Sequence, residues 1–204
     1  MTLVSDHIEV DTRERILEVA ERLFRQIGYQ KTTVADIAKE LRMSPANVYR
    51  FFDSKKSIYE GVARGLMGGV EQAAQTIASR PGPAAARLRE LMTSIHHMNA
   101  ERYVGDSKMH EMVAIAMEED WDVCVAHMQL ITETIGSVIA QGAASGEFEV
   151  KDVPLAAMCA CSGMIRFFHP QMIAQCATKP GPTIDEMIDF IIAGLSPRAK
   201  GVVR

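Results

Sequence analysis

Residues 33–55 read TVADIAKELRMSPANVYRFFDSK, and this stretch decides the fold. Its first part places apolar residues at helical spacing behind Thr33, whose hydroxyl can cap the exposed amides of a short helix. Ser44 is a good cap for a second short helix, because Pro45 then occupies the first helical position, where its missing N–H costs nothing. The spacing therefore predicts two short helices joined by a three-residue turn, residues 42–44.

A longer amphipathic helix precedes this pair. The pattern behind Asp11 and Glu14, which resemble a capping box, predicts a helix over about residues 12–28, closed by Gly28. The third helix is predicted over about residues 45–52. Three helices of about 16, 8 and 8 residues, with a three-residue turn between the last two, have the dimensions of a helix-turn-helix unit.

The third helix has two different faces when its residues are placed about 100° apart. The apolar face, which can pack against the first two helices, consists of Val48, Phe51 and Phe52. On the outward face, Asn47 can pair with adenine, Arg50 can reach guanine or phosphate, and Tyr49 can bind a phosphate oxygen. Ala46 allows close approach. This outward set is suited to the major groove of DNA.

The charge distribution supports the same interpretation. The chain carries a formal net charge of −4, but residues 31–56 hold six basic side chains against three acidic ones, a local +3. From residue 61 onward there are 12 basic and 16 acidic side chains. Thr33 and Lys55 stand at the starts of helices, where hydroxyl, ammonium and free amides can meet the phosphates that flank a groove. A basic head on an acidic body can approach DNA in one orientation only.

Residues 11–60 resemble the TetR family of transcriptional regulators. The resemblance is carried by Thr33-Val34-Ala35-Asp36-Ile37-Ala38, by Met43-Ser44-Pro45-Ala46-Asn47-Val48-Tyr49-Arg50-Phe51-Phe52 and by Ser54-Lys55. It implies a homodimer of Ω-like all-α subunits whose third helices enter successive major grooves of operator DNA, while the C-terminal body binds an inducer. It also implies phosphate contacts for Tyr49 and Lys55, a helix-two contact for Thr33, and base reading by Ser44, Pro45, Ala46 and Asn47. Arg42 departs from the family, which often has Gly at this turn position; a left-handed Arg42 would cost about 1 kcal/mol.

The rest of the chain also predicts helices, about nine in all, and no segment alternates long enough to predict a sheet. We expect an all-α fold with a helix-turn-helix DNA-binding domain over 1–60 and a ligand-binding and dimerisation domain over 61–204. A long fourth helix from about Ser54 contains several glycines, which close approach of a neighbouring helix would explain. Further helices are expected around 88–98, 107–117, 120–144, 153–169, ended by Pro170, and 184–195, which Thr183 and Glu186 cap.

The ligand site is expected among the central helices, where methionines lie with a few polar side chains. Flexible thioethers beside one or two hydrogen-bonding groups suit an apolar or amphipathic small molecule, although the same residues could form an ordinary core. The candidate ligand-binding residues are Met92, His96, Tyr103, Met109, Met112, Trp121 and Met128.

Dimerisation is expected through the last two long helices. They combine small and bulky side chains, as close helix packing prefers, and two helices per subunit can form a four-helix bundle with two-fold symmetry. That symmetry matches a palindromic operator. The candidate interface residues are Leu155, Met158, Cys159, Ser162 and Arg166 with Ile184, Met187, Ile188, Ile191 and Ile192. The alternative is that both helices bury only against their own subunit.

Other functions have weaker support. Asp106 and His110 have a helical metal-ligand spacing that His127 could complete, yet no metal or other cofactor is expected. The four cysteines lack a metal-binding pattern; they are expected to be reduced thiols, with a redox sensor as the alternative. No nucleophile motif predicts an enzyme. A helical dimer that docks on another protein is the main alternative, but such a face would more often expose apolar anchors than Asn47 and Arg50.

The sequence thus predicts a cytoplasmic transcriptional regulator, most simply a repressor released by its ligand. No apolar stretch approaches the roughly 18 uncharged residues of a membrane span, and the N-terminus lacks the order of a signal peptide. An inducer would stabilise a spacing of the two reading heads that no longer fits grooves about 34 Å apart. Helix four is expected to transmit this change.

Overall fold

The structure, a computed structural model, describes residues 2–103, 108, 112, 113, 115, 116 and 122–197, with side chains from Asp11 onward except at 102 and 103. Every regular element in these residues is a helix. The chain forms two compact units: one contains the described residues of 1–68 and 106–123, and the other contains those of 69–105 and 124–204. The predicted all-α class is confirmed.

Within its described residues up to 68, the first unit contains three helices and the start of a fourth, namely α1 (Thr2–Ile27), α2 (Val34–Glu40), α3 (Pro45–Tyr49) and α4 (Lys55–Ser79). Their apolar faces meet in a core of fully buried side chains, among them Ile16, Phe24, Ile37, Val48 and Ile58. Two predicted boundaries are wrong. Helix α1 begins ten residues before the expected start, so Asp11 lies inside it and is no cap, and α3 ends at Tyr49 rather than residue 52.

The glycines of α4 have different environments. A Cβ atom added to Gly61 would lie 2.6 Å from a methyl of Leu17 on α1 and 3.4 Å from the Phe52 ring. Close helix approach therefore explains Gly61, as expected. Among the described residues it does not explain Gly65 or Gly68, where an added Cβ would meet none of them within 4 Å.

The second unit contains the end of α4 and six further helices. These are α5 (Ala84–Tyr103), α6 (Asp122–Ser145), α7 (Val153–Gly163), α8 (Ile165–Phe168), α9 (Pro170–Cys176) and α10 (Ile184–Leu195). Among the described helices, only α6 is long and apolar enough to cross a membrane. Its Ile131, Ile135, Val138 and Ile139 lie in the core of the unit, as expected for the central helix of a globular protein.

The predicted single helix over residues 153–169 is wrong. Helix α7 ends at Gly163, Met164 forms a turn, and the short α8 follows. Pro170 does not terminate a helix; it occupies the first turn of α9, where proline is tolerated. Side chains of α5 secure the end of α8: His96 Nδ1 lies 2.9 Å from Phe167 O, and Asn99 Nδ2 donates to Phe168 O at 2.8 Å.

Candidate nucleic-acid interface

Helix α2 starts at a complete capping box. The Thr33 hydroxyl oxygen accepts from the Asp36 backbone N–H at 3.2 Å, while the Asp36 carboxylate accepts from the Thr33 backbone N–H at 2.9 Å. The Thr33 hydroxyl also donates to that carboxylate at 2.6 Å. These hydrogen bonds to the charged form lower the pKa of Asp36. The predicted cap is confirmed, and both polar groups of Thr33 are engaged within it.

The turn between α2 and α3 depends on Arg42. Its φ of 54° places it in the left-handed region, where it is the only non-glycine among the described residues. A side chain there costs about 1 kcal/mol, because Cβ approaches the following carbonyl. The Met43 N–H donates to Ala38 O at 2.9 Å, which closes the C-terminal end of α2. The turn thus keeps the geometry for which glycine is more usual.

Helix α3 has the two faces that its sequence predicts. Ser44 caps it by accepting from the Asn47 backbone N–H at 3.2 Å, and Val48 is fully buried. Ala46 and Arg50 are exposed, and Tyr49 keeps 49% of its surface accessible. Asn47 is only half-exposed, with its side-chain oxygen 3.5 Å from an Arg50 guanidinium nitrogen.

Lys55 stands at the start of α4, but its ammonium is partly committed. It donates to Tyr29 O at 2.9 Å and to Gln30 O at 3.4 Å, and it lies 4.3 Å from the centroid of the Tyr29 ring. Partial burial lowers the pKa of Lys55. A lysine ammonium has three hydrogens, so two carbonyl contacts leave one for an external acceptor.

Two contacts of α1 were not predicted from the sequence. Arg13 donates to Phe51 O at 2.5 Å with its guanidinium 4.3 Å from the centroid of the Phe52 ring. Arg22 pairs with Glu40 of α2 at 2.7 Å. Both partners are distant in sequence, and an arginine on an exposed helix face gives no local signal of such a contact.

The predicted ligand residues are not gathered into one described site. Met92 belongs to the core of the second unit, Met112 is buried in the first unit, and Met128 is 52% exposed. His96 is half-buried with its Nδ1 at the Phe167 carbonyl. The Tyr103 side chain, Met109 and Trp121 lie outside the described residues.

The second unit carries an open groove of about 730 Å³. Its walls come from one face of α5 and from Ile192 of α10, and they include Ala85, Arg89, Thr93, His97 and Met98. Of the predicted ligand residues whose side chains the structure describes, Met92, His96, Met112 and Met128, none lines this groove. The groove was therefore not predicted from these residues.

The predicted dimer residues differ in their exposure. Leu155 and Met158 are each 52% exposed, Cys159 and Ser162 are exposed, and Ile184, Met187, Ile191 and Ile192 are half-buried. Ile188 is fully buried in the core of its own unit, so its assignment to an intersubunit surface is wrong. Arg166 binds the carbonyls of Cys176 and Lys179 at 3.0 and 2.8 Å. Phe190, 75% exposed, was not among the predicted interface residues.

The possible metal site has little support in the part of the chain that the structure describes. No group of three potential ligands is found there, and His127 Nδ1 lies 2.7 Å from a Glu71 carboxylate oxygen. Asp106 and His110 lie outside the described residues. All four cysteines are free thiols.

Two models of known protein families match the chain. A family model for the C-terminal domain of tetracyclin repressor-like proteins matches residues 84–188, and a model for bacterial regulatory proteins of the tetR family matches residues 16–62. The C-terminal match alone covers half of the chain.

Individual relatives match over shorter stretches or at lower identity. The chain is 48% identical over 48 residues to the biofilm operon negative regulator IcaR of Staphylococcus aureus, which is 24% of this chain and 26% of IcaR. It is 29% identical over 107 residues to the repressor KstR2 of Rhodococcus jostii, 52% of this chain and 49% of KstR2. The chain thus spans from about a quarter to half the length of these curated relatives.

A solved structure shares the fold over nearly the full length. The repressor FadR of Thermus thermophilus, crystallised with lauroyl-CoA, superposes with a TM-score of 0.62 at 19% identity, covering 89% of this chain and 91% of FadR. With the helix-turn-helix geometry and both family models in agreement, the chain belongs to the TetR family of bacterial regulatory proteins.

Proposed function

We propose that this protein is a cytoplasmic, homodimeric transcriptional repressor that binds a palindromic operator and is released from it by a small apolar or amphipathic ligand. The observation that carries the proposal is the division of α3: Val48 is fully buried, whereas Ala46, Tyr49 and Arg50 face solvent. A short capped helix with hydrogen-bonding side chains on its open face is suited to the major groove.

The roles of the reading residues follow from their chemistry. Asn47 and Arg50 are assigned to base edges, because an amide can pair with adenine and a guanidinium with guanine. Ser44, Pro45 and Ala46 form the start of the helix that approaches the bases. Their small size permits that approach.

The phosphate contacts are assigned to the groups that flank α3. Tyr49 is exposed, so its hydroxyl can reach a backbone oxygen, and Lys55 retains one ammonium hydrogen beyond its two carbonyl contacts. Thr33 is the weakest of the three, because its hydroxyl already donates to Asp36. A phosphate would have to replace that bond.

The subunits are proposed to pair through α7 and α10. Leu155, Met158 and Phe190 expose large apolar surface on these helices, which burial against a second copy would remove from water. In an isologous pair each residue faces the same surface of its partner, so the two reading heads acquire two-fold symmetry. Such a dimer fits an operator with repeated half-sites.

The ligand is proposed to bind the C-terminal body. Methionines are frequent there, and a flexible thioether adapts to varied apolar shapes. FadR of Thermus thermophilus, which shares this fold, was crystallised with lauroyl-CoA, which supports ligand binding by a protein of this fold without identifying the ligand that fits this chain.

The proposal is tested by selecting duplexes with a randomised centre on the full-length protein. We expect an enriched palindromic sequence whose complex weakens steeply with salt, because binding releases counterions from the phosphates. Asn47→Ala should relax base preference at one position of each half-site by roughly 1–3 kcal/mol. Tyr49→Phe should weaken binding to all sequences alike. Failure to enrich any sequence, or wild-type affinity in both variants, would overturn the assignment.

A further inference from the structure

Arg13 connects α1 to the C-terminal end of α3. Its guanidinium nitrogen donates to Phe51 O at 2.5 Å, and its guanidinium carbon lies 4.3 Å from the centroid of the Phe52 ring. The hydrogen-bonded residues are 38 positions apart in the chain. This contact lies at the end of α3 opposite to the Ser44 cap.

The contact meets a requirement of the α3 backbone. The last carbonyls of a helix have no partner within it, and a cation near this end interacts favourably with the helix dipole. Phe51 and Phe52 still donate their own N–H groups to Val48 O, at 2.9 and 3.1 Å, so the helical turn continues to the carbonyl that Arg13 binds. Arg13 therefore supplies a partner for the Phe51 carbonyl, which lies two residues beyond the end of α3 in the turn that continues it.

Phe52 makes this attachment firm. Its ring is 4% exposed and lies 3.4 Å from the position that a Cβ of Gly61 would occupy on α4. The guanidinium thus packs on a ring that is itself held by the core of the unit. A cation over an aromatic face adds attraction beyond the hydrogen bond.

We propose that Arg13 is a positioning residue for DNA recognition, which holds the C-terminal end of α3 at the orientation that Tyr49 and Arg50 require. The inference rests on the proposed function. Tyr49 and Arg50 immediately precede the residues that Arg13 secures, so movement of this end would displace both side chains. Direct binding of a phosphate by Arg13, which is exposed, is the competing role.

The first experiment needs no DNA. Arg13→Gln removes the charge and the fork of donors, and Arg15→Gln removes an equal charge from another exposed position of α1, two residues further along the chain. We expect amide hydrogen exchange at Val48, Phe51 and Phe52 to become about tenfold faster in the first variant and to stay at the wild-type rate in the second. Unchanged exchange in Arg13→Gln would overturn the positioning role.

The second experiment separates positioning from phosphate contact. For the duplex selected by the wild type, we expect Arg13→Gln to lower affinity about tenfold while the slope of log affinity against log salt stays constant. A slope smaller by about one would show a lost phosphate contact and overturn the proposal. Arg13→Lys, which keeps a cation with N–H donors but loses the planar guanidinium, should restore most of the affinity and tests the inference if the glutamine variant folds poorly.

The two proposals fail in different ways. If the wild-type protein enriches no duplex, the proposed function fails. If the wild type binds and Arg13→Gln binds as tightly at every salt concentration, only the role of Arg13 fails.

Discussion

The N-terminal head, residues 1–60, and the C-terminal body, residues 61–204, differ in the burial of the residues that were assigned to function. In the head, the side chains assigned to function are exposed ones on a short capped helix, such as Tyr49 and Arg50. In the body, Met92 was predicted to bind the ligand and Ile188 to lie in the dimer interface, but both are buried in the core. Substitutions in the head should therefore change binding with little loss of stability, whereas substitutions in the body should first change stability.

Among the substitutions that test this comparison, we expect the largest change in stability at Gly142 of α6. A Cβ there would lie 2.6 Å from a ring carbon of Phe148 and 2.9 Å from the Cβ of Ala84. Both neighbours are buried, at 4% and 3% exposure, so neither can move freely. We expect Gly142→Ala to lower the free energy of unfolding by about 2–3 kcal/mol through overpacking, measured by urea denaturation.

The matched control is Gly68→Ala, where an added Cβ meets no atom of the described part of the chain within 4 Å. It should be neutral or stabilising, because alanine favours the helix. Equal stability of the two variants would mean that the body is not tightly packed around Gly142, and the contrast with the head would disappear.

The head was largely predictable because its signals are local. Thr33, Ser44 and Pro45 specify helix starts within three or four residues of themselves, and the periodicity of α3 assigns Val48 to the interior. Even the left-handed Arg42 was an explicit possibility, since the turn demands that conformation. The predicted extent of α3 was less accurate, because Phe51 and Phe52 pack as apolar residues without remaining in the regular helix.

The body was less predictable because its signals are tertiary. A methionine at helical spacing can line a cavity or fill a core, and only packing decides that Met92 is in the core. Likewise the apolar stripe of α10 does not reveal that Ile188 faces inward and Phe190 outward. The break after Gly163 also lacks a strong local signal, because proline at residue 170 can close one helix or open another.

Within the head, Lys55 combines a structural role with a proposed role in DNA binding. Its ammonium serves both the loop carbonyls of Tyr29 and Gln30 and, in our proposal, a phosphate. We expect Lys55→Met to reduce DNA affinity about tenfold and to reduce the salt slope by about one, with a smaller loss of stability. Binding by fluorescence anisotropy over a range of salt concentrations measures both quantities. A lower affinity at unchanged slope would assign Lys55 to bracing the loop alone.

A smaller effect is expected from two glycines on the same helix. Gly65→Ala should stabilise the protein by up to about 1 kcal/mol, because the added Cβ is within 4 Å of none of the residues that the structure describes and alanine favours the helix. At Gly61 the same gain is opposed by the contact with Leu17 at 2.6 Å, so Gly61→Ala should be less stable than Gly65→Ala. Thermal unfolding of both variants measures the difference. Equal stabilisation would show that the Leu17 side chain moves aside without cost.

The smallest effect is expected from the capping box, a motif that occurs in both the head and the body. Thr33–Asp36 in the head and Thr183–Glu186 in the body are complete capping boxes. Hydrogen bonds from Thr33 lower the pKa of Asp36 below its ordinary 3.8, and those from Thr183 lower the pKa of Glu186 below 4.5. Because each pKa is lower in the folded state, the contribution to stability is present above the ordinary value and is lost as pH falls through the folded one.

The two caps should therefore titrate alike but act on different helices. Carboxyl NMR titration should give midpoints below 3.8 for Asp36 and below 4.5 for Glu186, since both accept from threonine. Asp36→Asn should speed amide exchange at the start of α2 alone, and Glu186→Gln at the start of α10 alone, because a neutral amide accepts these hydrogen bonds more weakly than a carboxylate. Asp36→Asn is then compared with Glu186→Gln in binding of the selected duplex. If only Asp36→Asn weakens that binding, the start of α2 matters for DNA recognition and the start of α10 does not.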